Sequence, residues 1–212
     1  MRKRSVSTRI FGAFGVAIAM ALFVGIASIW QMGRISKNLE AVAQHSLQPV
    51  TEVAAIHSAL DEIEMNVRAH AGTFHLLEKT QDLQAIQTAF DQAGQHIAAF
   101  RATGPSSAEL NQAKTLEDDL TKLRPVVFQT LLPLSDRFAT DPFDQRFNAF
   151  AAPLFADAQT TAEDMMAVEN TAATTQIGAA HTAYTQAMIG LVALLVIGIA
   201  IALLRNGITA LT

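Results

Sequence analysis

This sequence predicts an all-α fold, an antiparallel up-down four-helix bundle whose first and fourth helices are continuous with two transmembrane helices. Three observations predict it. Two long apolar runs stand near the ends of the chain, the stretch between them repeats apolar residues at a helical period, and its interruptions are short and built from helix-capping residues.

The apolar runs come first. Ile10 to Trp30 holds no charge across 21 residues and Ala187 to Leu204 none across 18. At about 1.5 Å per residue either run crosses a hydrocarbon core of about 30 Å. Residues 1–9 then form a basic leader, with spans at 10–31 and 187–204. A cleaved signal sequence is the competing reading for the first run, because Arg2, Lys3, Arg4 and Arg9 precede it and Gly25 to Ser28 offers small residues for cleavage. The run exceeds the roughly 7–15 residues of a signal core, which favours an uncleaved anchor.

Orientation follows from charge. Of fifteen basic residues, four precede the first span and Arg205 follows the second, whereas all nineteen acidic residues lie between the spans. Basic flanks stay in the cytoplasm, so both termini are expected inside and residues 32–186 outside. The single Trp and single Tyr agree: Trp30 closes the first span and Tyr184 opens the second, where amphipathic rings anchor at the interface. An acidic external segment argues against a nucleic-acid partner. With no cysteine, that segment is held by packing alone.

The first bundle helix is legible as a seam. Ile35, Leu39, Val42, Ser46, Pro49, Val53, Ile56, Leu60, Ile63, Val67, His70, Phe74 and Leu77 alternate steps of four and three, the period of a coiled-coil-like helix. The polar "EKTQD" at 78–82 reads as a short turn, and Leu83, Ile86, Phe90, Ala93, Ile97 and Phe100 continue as a second, antiparallel seam of about twenty residues. Gly104 and Pro105 suit a helix stop, and Ser106 with Glu109 has capping-box spacing. A third helix follows through Ala113, Leu116, Leu120, Leu123 and Val127, with Pro125 and Pro133 expected to bend or break it. Asp141 and Pro142 suit the cap and first turn of the fourth, which runs through Phe147, Ala151, Leu154, Ala158, Met165 and Val168 toward the second span.

The first and fourth helices are each expected to exceed forty residues. Below the shorter second and third helices their seams need another protomer, which predicts a homodimer. Ala13, Ala17, Ala21 and Gly25 add a small-residue stripe every four residues in the first span. Such a stripe lets two membrane helices approach closely, although small residues are also simply common there.

Catalysis finds little to work with. The histidines at 45, 57, 70, 75, 96 and 181 include no pair three or four apart, and there is no cysteine, glycine-rich phosphate loop or nucleophile motif. No catalytic residue, metal ligand or cofactor is expected. His70 alone falls on a seam. It reads either as a satisfied core histidine or as a ligand-binding or pH-sensing residue.

In its whole layout the chain resembles bacterial methyl-accepting chemotaxis receptors. The stretch from Ile35 to Thr73, "ISKNLEAVAQHSLQPVTEVAAIHSALDEIEMNVRAHAGT", resembles the first helix of their four-helix-bundle sensory module, with a leucine and proline ahead of the apolar seam and an arginine near its end. Arg205, Ile208 and Thr209 resemble the opening of the HAMP linker that follows the second span in that family, although Leu211 stands where the family has a proline. The resemblance implies a periplasmic sensor domain at 32–186, a HAMP-like linker starting at 205–212, and an inner-membrane receptor. It implies a small-molecule ligand or a periplasmic binding protein as input and a cytoplasmic signalling domain as output. Sensor histidine kinases and diguanylate cyclases share the module, and a stand-alone membrane-anchored scaffold is the rival class. Arg68 is a candidate for contacting an anionic ligand, or an ordinary ion pair with Glu64 one turn earlier. Aspartate-type relatives carry several arginines in the first helix, whereas here only Arg34 and Arg68 occur, so their amino-acid pocket does not carry over.

Overall fold

The computed structural model describes residues 15, 18–19, 22–35, 37 and 47–210, with side chains through residue 200. The chain divides into two units, Ala43–Thr175 on the one hand and Met1–Val42 with Gln176–Thr212 on the other.

The larger unit is a four-helix bundle. Helix α1, Gln48–Gly72, places Pro49 in its first turn, where a missing N–H costs nothing. From Val53 through Val67 its seam is fully buried, and His70 is 2% exposed. The seam ends there. Phe74 and Leu77, expected on it, are 76% and 71% exposed because α1 stops at Gly72 and Thr73 turns extended. Gly72 is a weak helix former, and the connection is Thr73–His75 rather than the polar run at 78–82. That run is the start of α2, Leu76–Ala102, which at 27 residues is longer than the sequence suggested. Ile86, Phe90, Ala93, Ile97 and Phe100 on it are buried as expected.

Gly104 adopts φ 79°, a left-handed conformation that glycine takes without strain because it has no Cβ to press on its own backbone. The capping box then forms: Ser106 N donates to Glu109 Oε2 at 2.6 Å and Glu109 N to Ser106 Oγ at 3.4 Å. Helix α3, Ser107–Pro125, buries Ala113, Leu116, Leu120 and Leu123. Pro125 does not break the chain. Its missing N–H coincides with a change of ladder, and Val126–Leu131 continues as a π-helix before α4, Leu132–Asp136. Pro133 sits in the first turn of α4 and is harmless there.

Phe138, at φ 56°, turns the chain, and helix α5 spans Thr140–Arg146. Its cap residue is Ala139, whose carbonyl accepts from Phe143 N at 2.9 Å; Asp141 lies inside the first turn, where its charge favours the positive end of the helix. A second π-helix, Phe147–Ala151, leads into α6, Ala152–Ala210. Phe147, Ala151, Ala158 and Met165 are buried as read from the sequence, but Val168 is 45% exposed. Phe155 is buried where the expected Leu154 is only partly so, and a four-residue step after Met165 brings Glu169 inward in place of Val168. All four helical arms contribute to one hydrophobic cluster.

In the smaller unit, Leu22–Ile35 is a short apolar helical stretch. Gln31 Nε2 donates to the Ala187 carbonyl at 3.3 Å, and the Arg34 guanidinium lies 5.3 Å from the centre of the Trp30 ring. Trp30 and Tyr184 are both exposed, at 66% and 47%. Ala13, Ala17 and Ala21 lie outside the described residues, as do Leu39, Val42 and Ser46; Gly25 faces open space. Among the described residues one helical stretch, Thr140–Ala200, is long and apolar enough to cross a membrane, with a mean hydropathy of 2.0 in its apolar window.

Candidate functional site

Three buried polar side chains of the bundle gather where α1 ends, α2 begins and α4 ends. Lys79 is 4% exposed, Ser135 3% and His70 2%, an arrangement that costs free energy unless every donor is used. Every donor of the ammonium is used. Lys79 Nζ donates to the His70 carbonyl at 2.9 Å, to the Ser135 carbonyl at 2.8 Å and to Ser135 Oγ at 2.8 Å. Ser135 Oγ donates to the same His70 carbonyl at 2.7 Å and lies 2.7 Å from His70 Nδ1.

A hydroxyl has one hydrogen, so if Ser135 gives it to the carbonyl, Nδ1 carries its own and donates back. The other ring nitrogen, Nε2, is then unprotonated in the neutral ring and faces Asp136 Oδ1 at 3.7 Å. Burial first, and the Lys79 charge second, hold the imidazole below its ordinary 6.5, against the smaller opposing pull of Asp136 and Asp82. Over the knot lie Phe138, whose ring centre is 4.9 Å from Lys79 Nζ, and Phe74, stacked on Phe138 at 5.5 Å.

Arg68 stands elsewhere. Its Nε and Nη2 donate to Glu64 Oε1 at 3.0 and 2.9 Å, and its guanidinium carbon lies 4.0 Å from the centre of the Phe147 ring. The one-turn ion pair weighed from the sequence is formed, and an aromatic contact joins it. The structure does not bring Arg68 and His70 into one site.

Away from this cluster, Asp119 on α3 and Glu169 on α6 are also buried, at 6% and 5% exposed. Burial, then the charge of Glu109 and a hydrogen bond with it, push the Glu169 carboxyl up to about 7 from an ordinary 4.5. Polar links also cross between helices: His96 Nδ1 lies 2.8 Å from Glu52 Oε2, Arg101 Nη2 donates to Glu117 Oε2 at 2.6 Å, and Gln159 Nε2 donates to Asp61 Oδ1 at 2.9 Å. A shallow groove of about 160 Å³ between α2 and α3 is lined by Phe90, Gly94, Ile97, Leu120 and Arg124. Among the described residues no three His, Cys, Asp or Glu side chains are placed to hold a metal ion.

Sequence reasoning singled out His70 and missed Lys79, Ser135 and Glu169. Lys79 sits in a run that is polar on every side, and its acceptors lie 9 and 56 residues away, so no local pattern marks it.

A family model described as a four helix bundle sensory module for signal transduction matches residues 3–184. No curated protein and no solved structure matches the chain.

Proposed function

Since the chain belongs to the four-helix-bundle sensory modules of signal transduction, the type found in methyl-accepting chemotaxis receptors, we propose that it is the input half of a chemotaxis-type transmembrane receptor. That family is a sensory signalling module and not a catalytic domain, and the reading assigns these residues no enzymatic role. In it, residues 32–186 sense a small molecule or a periplasmic binding protein outside the inner membrane, residues 10–31 and 187–204 span it, and 205–212 begin a linker to a cytoplasmic output domain. The protein works as a homodimer.

The observation that carries the reading is the family match over 3–184, supported by α6. Phe155 and Met165 sit in the bundle core and the apolar run from Ala187 lies on the same helix, Ala152–Ala210. A ligand that prefers one packing of the bundle biases that helix by no more than its differential affinity for the two states. Interface helices shift by about 1–2 Å in such transitions, so a stiff connection between Gln176 and Tyr184 is required.

The test is a chimera that joins residues 1–212 to the cytoplasmic half of a characterised chemotaxis receptor, read by its control of the associated kinase. A flexible Gly-Ser pair inserted between Gln176 and Tyr184 should uncouple that control. Kinase output that is unaltered by the insertion overturns the mechanical role of α6.

A further inference from the structure

The knot at the α1–α2 turn is built around a titratable ring that has no surface of its own. His70 is 2% exposed, yet its Nε2 faces Asp136, whose side chain is 63% exposed. A proton arriving from solvent on the Asp136 side has that nitrogen as its acceptor. The groups acting on it come from two elements. Lys79 and Asp82 face it from α2 and Asp136 faces it from α4, while Arg68 on its own helix is turned to Glu64 and Phe147.

We propose that the proton is an input to this module: binding at Nε2 of His70 breaks the His70–Ser135–Lys79 knot and releases the α1–α2 turn from the end of α4. The physical reason is charge. In the neutral state one buried cation, Lys79, is stabilised by two carbonyls and one hydroxyl. A second cation on His70 sits within the same small cluster, where repulsion is weakly screened, and Asp136 is too far into solvent to neutralise both. The cheapest relief is local. The lids over the knot, Phe74 and Phe138, are already 76% and 53% exposed, and Phe138 occupies a left-handed conformation unusual for an aromatic residue. Opening this end frees the ammonium and the imidazolium to hydrate and leaves the apolar seam from Val53 to Val67 intact.

Only the consequence of opening, a signal passed onward, rests on the sensory reading; the opening itself is a property of the knot. The experiment therefore reads the knot. Hydrogen–deuterium exchange of the full chain in lipid nanodiscs, corrected for intrinsic pH dependence, should show residues 70–82 and 132–138 exchanging about tenfold faster at about pH 5 than at about pH 7.5, with residues 113–123 unchanged. His70→Gln should abolish the change. Asp136→Asn, which removes a carboxylate that favours the charged ring, should move the midpoint to lower pH.

If His70→Gln opens this end at every pH, the Asp136→Asn midpoint decides. Protection that stays level across the range overturns the proposal, as does a midpoint that Asp136→Asn leaves in place. The Glu109–Glu169 contact reports in other peptides, those of the first turn of α3 and of α6, so its titration is not mistaken for this one. Failure here leaves the chimera result standing, and failure of the chimera leaves this result standing.

Discussion

The central guanidinium carbon of Arg68 lies 4.0 Å from the centre of the Phe147 ring, while the same group holds Glu64. The two residues contribute very differently. Phe147 is 1% exposed in the core, whereas the Arg68 side chain is 55% exposed. Arg68→Ala should therefore cost only about 1 kcal/mol, the sum of an exposed one-turn ion pair and a surface cation–π contact. Phe147→Ala should cost about 3–5 kcal/mol. Urea unfolding of the full chain in detergent, followed by circular dichroism, measures both. Equal costs would mean that Arg68 supports the core more than its exposure suggests.

Glu169 makes stability fall as pH rises. Its carboxyl is raised to about 7 in the fold from an ordinary 4.5, so the native state holds a proton that the unfolded state has released between those values. Stability then declines from about pH 4.5 to about pH 7 and levels off above. Glu169→Gln should flatten that slope. Melting temperature against pH for both proteins is the measurement, and an identical slope in the variant would remove Glu169 as its source.

His70 has the opposite sign. Its folded value is lowered below 6.5, so the contribution of the neutral ring is fully present above that value and lost as pH falls. The melting temperature of His70→Gln should approach that of the parent as the sample is acidified below about pH 6.5 and lie furthest from it above.

The α2–α3 connection depends on backbone chirality and on one cap. Gly104 sits at φ 79° with open space around its missing Cβ, so Gly104→Ala touches no neighbouring residue and reports the strain of its own backbone alone, about 1 kcal/mol. Ser106→Ala removes half of the capping box and should cost about 0.5–2 kcal/mol. Thermal unfolding distinguishes them from neutral surface changes, and a stabilising Gly104→Ala would contradict the left-handed turn.

Much of the bundle was legible because burial and helical period coincide. Val53, Ile56, Leu60, Ile63 and Val67 recur in steps of four and three, and every one is fully buried. Ser106 and Glu109 were readable for the same reason: a capping box is closed within four residues, so local spacing contains the whole interaction.

Residues whose partners are distant in the chain were not legible. A lysine within "EKTQD" has the composition of a turn, and only packing against Ser135, 56 residues on, makes it the buried centre of a knot. Glu169 looks like solvated helix, yet the seam steps four residues on from Met165 and turns it inward in place of Val168. The sequence by itself determined four amphipathic arms, most of their core faces and the capping box at Ser106, since these follow from helical periodicity and from hydrogen bonds made within one turn. Only the tertiary structure decided where α1 stops, which polar side chains are buried and which carboxylate meets which, because those choices are settled by atoms contributed from other helices.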